Sequence, residues 1–331
     1  MRREHKLLPV LIFIPVVLLL LGFGGMVYAD KQNIPQPVAM SLLATLFVEA
    51  VFFLAHGSAA VRERIRGCCP PWKIATGLFA SALLPYWIYS VTSGTFQWSS
   101  LGWLVLIAGA FSFTYVVFPD RPIVDFLYVI VWGVVLLTDR FELIYLPVMP
   151  KVPAKILGDL MLARVCAISL FTIRGLEGTA YGWIPTWPEF KIGVREFVYF
   201  VPVGALLIYL TGFAKLKPFA GDYGKVALTA LGVAAGIHIL VSLREELMVR
   251  GVLQPLLQQW FGSPHIGMAV SSVMFGLSHL WFAHKFPNWK FAILATAAGW
   301  FYGRAFSAAR SVRAAMVTHT LVVVFWRVFL Y

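Results

Sequence analysis

Three stretches in the last third of the chain hold residue types that can activate a water molecule. The first is Arg244-Glu245-Glu246-Leu247-Met248-Val249-Arg250, directly after the apolar run Val226–Val241. One charge at the centre of a bilayer costs roughly 2.5–3.5 kcal/mol on insertion scales. The signs in this stretch cancel, so the groups can pair. On a helix Glu246 and Arg250 lie one turn apart with the acid first, the favourable order for an ion pair. Glu245 points about a third of a turn away. Arg250 can therefore neutralise Glu246 and leave Glu245 to face a cavity, and a carboxylate sheltered from bulk water beside a second one suits the work of a general base. The second stretch is Phe275-Gly276-Leu277-Ser278-His279, in which Phe275 and His279 share a helix face. The third is His319, in the middle of the run Ala314–Phe329. A histidine inside a membrane can line a polar cavity, bind a partner helix or hold a metal. Each piece alone has an ordinary structural explanation, as a packing histidine or a structural Glu/Arg pair. Their joint occurrence, each in or beside a separate hydrophobic helix, argues for a reaction centre.

The elements that must position these groups are legible in the composition. The chain has 331 residues, 60% hydrophobic and 13% charged, where a soluble domain is nearer half apolar and a quarter charged. Apolar runs of crossing length fall near 7–28, 38–56, 74–91, 101–118, 122–138, 156–173, 195–213, 226–243, 265–282, 290–306 and 312–330. The expected fold is all-α, a polytopic transmembrane helix bundle of about 8–11 spans. No period-2 alternation suggests a membrane barrel. Arg2, Arg3 and Lys6 begin on one side, and Arg62, Arg64, Arg66 and Lys73 return to it after two crossings, as the positive-inside rule requires. The run from Leu7 to Val27 resembles a signal sequence, with Val27-Tyr28-Ala29 as a small-residue site. Its length favours an uncleaved first span.

The net charge of +12 is read as cytoplasmic loops and headgroup contacts, so membrane lipid is the expected partner and nucleic acid is not. Cys68, Cys69 and Cys166 form no C-x-x-C, and a disulfide framework is not expected. No G-x-S-x-G motif and no cysteine in the C-terminal constellation supplies a nucleophile. The segment 175–196, with Glu177, Tyr181, Trp183, Pro185, Trp187, Pro188 and Glu189, reads as an interfacial loop that divides residues 1–190 from 191–331. Ser263-Pro264 and Ser311 read as helix starts. In the first half, Glu49 and His56 are seven apart, hence on one face, and Asp159 and Arg164 are expected to pair within their span. His238, seven before Glu245, is placed behind the same cavity.

The order E-E-x-x-x-R, then F-x-x-x-H, then a second histidine in the last span resembles the CAAX protease and bacteriocin-processing family. That family consists of glutamic-type intramembrane peptidases and includes the type II CAAX prenyl endopeptidases. The resemblance spans roughly residues 195–331. Arg250-Gly251-Val252-Leu253-Gln254 and Ala298-Gly299-Trp300-Phe301-Tyr302-Gly303 also resemble bacterial members. It implies a peptidase domain over 191–331 and leaves 1–190 without an assigned role. It further implies that Glu245 is the base, that His279 helps it polarise a water, and that His319 stabilises the oxyanion. Glu246 and Arg250 would orient the helix and tune Glu245. The implied substrate is a membrane-associated protein or peptide cut near its C-terminus, the implied location the bacterial plasma membrane, and no cofactor is required. In one respect the chain departs from the family, which carries Asn or Asp four residues after its last histidine. Here that position is Val323, with Thr320 and Asn288 as candidate substitutes.

Three other readings compete. Glu245, His279 and His319 could hold zinc as a two-His-one-carboxylate site, although H-E-x-x-H is absent. The chain could be a non-catalytic membrane protein of the bacteriocin-immunity type. It could also be a transporter with proton relays through buried carboxylates.

Overall fold

The computed structural model describes residues 8–118, 121–150, 152, 154–176, 180–182, 184–217, 221–281 and 286–331. Arg2, Arg3, Lys6, Glu177 and Trp183 lie outside these residues. The described chain is helical and forms two compact units, Met1–Glu177 and Gly178–Tyr331.

The first unit contains α1 (Leu8–Lys31), α2 (Gln36–His56), α3 (Ala59–Cys68), α4 (Pro71–Ser93), α5 (Trp98–Val117), α6 (Pro122–Leu137), the short α7 (Arg140–Ile144) and α8 (Lys155–Ile168). A π-helical turn, Ser169–Arg174, continues α8. Prolines open α2, α4 and α6, where their missing N–H would have had no intrahelical partner. Helix α8 is the core of this unit and packs on α2, α4 and α5. Inside it Arg164 is about as buried as a charge can be, at 1% exposure. Its guanidinium donates to Glu49 through Nε (2.6 Å) and Nη2 (3.0 Å), and to Ser81 Oγ (2.7 Å) and the Ser81 carbonyl (3.1 Å). Arg164 therefore pairs with Glu49 and not, as its own span suggested, with Asp159. A spacing of five residues turns two helical side chains well apart, whereas Glu49 approaches from the facing helix. His56 bonds Thr172 through Nε2 at 3.1 Å. Glu49 and His56, although on one face, are thus tied to different partners.

The second unit contains α9 (Trp187–Thr211), α10 (Tyr223–Ile237), α11 (Leu243–Met248), α12 (Gln254–Phe261), α13 (Pro264–Leu277), α14 (Trp289–Ala309) and α15 (Val312–Phe329). Helices α10, α11 and α12 are one continuous rod, interrupted by π-helical turns at His238–Ser242 and Val249–Leu253. Helix α14 is central and packs on α9, α13 and α15. Its contact face is built from small residues, which lets backbones approach closely in lipid. A Cβ on Gly276 of α13 would meet Thr296 Oγ1 and the Ala292 carbonyl of α14 at 1.8 and 2.6 Å. The helix starts follow local chemistry. Thr186 and Glu189 form a reciprocal capping box on α9. Ser263 caps α13 by accepting from Ile266 N, and Ser311 caps α15 by accepting from Arg313 N. Glu189 also receives Arg313 Nη2 at 2.7 Å, which ties the first turn of α9 to that of α15.

Among the described residues seven helices are long and apolar enough to cross a membrane: 12–31, 36–56, 71–93, 98–117, 155–174, 187–211 and 312–329. Three more apolar helices, Pro122–Leu137, Tyr223–Ile237 and Pro264–Leu277, are shorter. The protein is an integral membrane helix bundle.

Replacing Arg164 by Met should strand the Glu49 carboxylate and destabilise the first unit by about 3–5 kcal/mol. Adding Glu49→Gln to that variant should recover most of the loss. Thermal unfolding of the detergent-solubilised single and double variants checks both.

Candidate active site

Four of the five candidate residues converge in the second unit around the carboxylate of Glu246, which is fully buried. Arg250 Nε donates to Glu246 Oε2 at 3.2 Å, one helical turn along the rod. His319 Nδ1, from α15, lies 2.8 Å from Glu246 Oε1. An ionised carboxylate only accepts, so Nδ1 is the donor and Nε2 is left facing the other way. There it lies 4.0 Å from Oε2 of Glu245. That oxygen is buried and has no hydrogen-bond partner, while Oε1 lies 3.7 Å from Arg244 Nη2. Glu245 differs from its neighbour in exposure as well: its side chain is 18% exposed and that of Glu246 is 0%. Two adjacent glutamates therefore have different environments. One is paired with a cation and an imidazole, and the other keeps an uncommitted oxygen.

Arg250 is fully buried and is held on several sides. Its Nη1 donates to Gln254 Oε1 (3.2 Å) and Ser271 Oγ (3.1 Å). Its guanidinium lies 5.6 Å from the centre of the Phe275 ring, a cation–π distance. Gln254 passes the network on to Ser307 Oγ of α14 at 3.1 Å. Gly299 of α14 makes room for the cation, since a Cβ there would lie 3.0 Å from Arg250 Nη2 and 3.1 Å from Phe275.

His279 is joined to this group through an aromatic ring. Its Nδ1 lies 2.7 Å from the Phe275 carbonyl. A carbonyl only accepts, so Nδ1 carries the proton and Nε2 of the neutral ring has the free lone pair. Phe275 packs 4.6 Å from the His279 ring and 6.0 Å from the His319 ring. Among the described residues no hydrogen bond links His279 to Glu245 or His319. The His319 ring is also stacked on Tyr302 of α14, at 4.6 Å and 10° between planes.

The sequence alone did not single out Tyr302, Gln254 or Gly299 for the site. Gln254 lies four residues after Arg250, and Gly299 begins a Gly-x-x-x-Gly spacing with Gly303, the two signals that could have found them. The substitutes proposed for the Val323 position are engaged elsewhere. Thr320 Oγ1 lies 3.0 Å from His238 Nδ1 and 3.2 Å from Ser242 Oγ. Asn288 caps α14 by accepting from Phe291 N. Among the described residues no group of three His, Cys, Asp or Glu side chains has the arrangement of a metal site.

The model of a family described as type II CAAX prenyl endopeptidase Rce1-like matches residues 227–325. This stretch belongs to the CAAX protease family. It runs from α10 into α15 and contains every residue of the constellation. No curated protein and no solved structure gives a significant match. The chain, with its crossing helices, is an integral membrane protein, and its matched stretch is similar to a family of membrane endopeptidases.

Glu246→Gln should leave Arg250 without a counter-charge and lower stability by about 3–5 kcal/mol. Glu245→Gln, which removes no hydrogen bond, should leave the unfolding temperature unchanged. Scanning calorimetry of the two purified variants separates the roles of the neighbouring carboxylates.

Proposed function

We propose that the C-terminal unit hydrolyses a peptide bond of a membrane-associated protein or peptide near its C-terminus, with Glu245 as the general base. The observation that supports this most directly is the uncommitted Oε2 of Glu245, buried and 4.0 Å from an imidazole whose other nitrogen is fixed. Such an oxygen can take the proton of a water as that water attacks the scissile carbonyl. The proton then goes to the leaving amine, and no covalent enzyme intermediate forms. Glu246 holds His319 in one tautomer and keeps its Nε2 toward Glu245. Its charge also stabilises the imidazolium when that ring is protonated.

In this reading His319 donates to the oxyanion from Nε2 once the ring is protonated there, and His279, with its free Nε2, helps orient the water. Donors fixed in place before reaction are worth more in a pocket sheltered by hydrocarbon than in water. Arg250 is enclosed, so its part is to hold Glu246 in place. The family resemblance favours the bacterial plasma membrane as the site of action. The reaction as drawn requires no metal.

Glu245→Gln should lower kcat by about 10²–10⁴-fold, the usual worth of a positioned base. Comparing the C-terminal peptides of membrane proteins from cells carrying wild type or Glu245→Gln should reveal tails that persist only in the variant. Identical tails in the two strains would refute the peptidase reading. Purified enzyme should keep its activity in the presence of a zinc chelator, and loss of activity restored by added zinc would instead favour the metal-dependent reading of Glu245, His279 and His319.

A further inference from the structure

The proposed reaction needs the His319 imidazole at one rotation about its own bond, and hydrogen bonding does not set that rotation alone. A bond from Nδ1 to Glu246 Oε1 anchors a single corner of the ring. The ring can pivot about that corner and carry Nε2 away from Glu245. Two aromatic rings oppose the pivot. Tyr302 lies parallel to the imidazole at 4.6 Å and 10°. Phe275 meets it edge-on at 6.0 Å and 82°, and meets Tyr302 in the same manner at 5.9 Å and 72°. Tyr302 is itself buried, at 2% exposure, within α14. Tyr302 covers one face of the imidazole and Phe275 lies against the rim of the stacked pair, about equally far from both rings, which leaves the imidazole a narrow range of tilt.

We propose that Tyr302 is a positioning residue for the hydrolysis. Its ring holds the His319 plane so that Nδ1 stays on Glu246 while Nε2 stays on Glu245. The inference rests on the function proposed above. It assigns the work to the ring and not to the phenolic hydroxyl.

Two substitutions separate these parts. Tyr302→Phe keeps the plate and removes the oxygen. Tyr302→Leu keeps apolar volume and removes the plate. With a membrane-tethered peptide cleaved by the wild-type enzyme, Tyr302→Phe should retain kcat within about threefold. Tyr302→Leu should lose at least tenfold in kcat with KM within about twofold. The unfolding temperature of each variant shows whether it is folded at assay temperature. Should Tyr302→Leu prove unfolded, Tyr302→Trp, which restores a flat ring, provides the same comparison and should be active. The proposal is overturned if folded Tyr302→Leu keeps wild-type kcat. It is equally overturned if Tyr302→Phe is as impaired as Tyr302→Leu, which would transfer the role to the hydroxyl. Glu245→Gln and His319→Ala are assayed alongside. If both are fully active, the hydrolytic reading itself fails. If both are inactive while Tyr302→Leu is not, only the inference about Tyr302 fails.

Discussion

A single buried carboxylate organises the second unit. Glu246 is excluded from solvent and shared between a guanidinium from its own rod and an imidazole from α15. Such an arrangement is unfavourable unless every partner is present, because a buried charge without its counter-charge costs several kcal/mol. The ion pair is thus weak as a source of stability and strong as a constraint on geometry. It fixes the rod against α15 and, through Gln254 and Ser271, against α14 and α13. The neighbouring Glu245 then inherits a defined position without spending its own lone pairs.

The helices that carry these groups can come close where small residues stand on their contact faces. Gly276 and Gly299 lie where any Cβ would strike the neighbouring helix or the Arg250 guanidinium. In lipid, where the hydrophobic effect does not press helices together, close backbone packing has to supply much of the association. Polar network and small-residue face are therefore two sides of one solution. The glycines create the space, and the arginine with its partners fills it.

Much of this was legible in the sequence. The apolar runs announced a membrane bundle, and the Glu246–Arg250 spacing announced an intrahelical pair that the structure contains. The serines before α13 and α15 behave as caps because their oxygens reach the N–H groups that a helix start leaves unpaired. What sequence could not supply was the partner across the fold. Arg164 has an acid five residues before it, yet its carboxylate comes from Glu49, 115 residues away. Tyr302 lies in a stretch whose local pattern shows a helix and nothing of the ring it stacks upon. His319 signalled its polarity, but its hydrogen bond to Glu246 depends on how α15 meets the rod. The length of the spans was also only partly visible, because the run near 265–282 forms a helix, Pro264–Leu277, that stops short of full crossing length.

The rod bearing Glu245 and Glu246 is wound unevenly. Its six-residue α-helical piece, Leu243–Met248, lies between two wider turns, His238–Ser242 and Val249–Leu253. A π turn accommodates one residue more than the surrounding helix would. Winding either wide turn as regular α-helix while keeping its extra residue would give excellent local geometry and yet swing everything beyond it by about 100°. For anyone grafting this rod into another scaffold, the length of the two wide turns therefore matters as much as the identity of the acids between them.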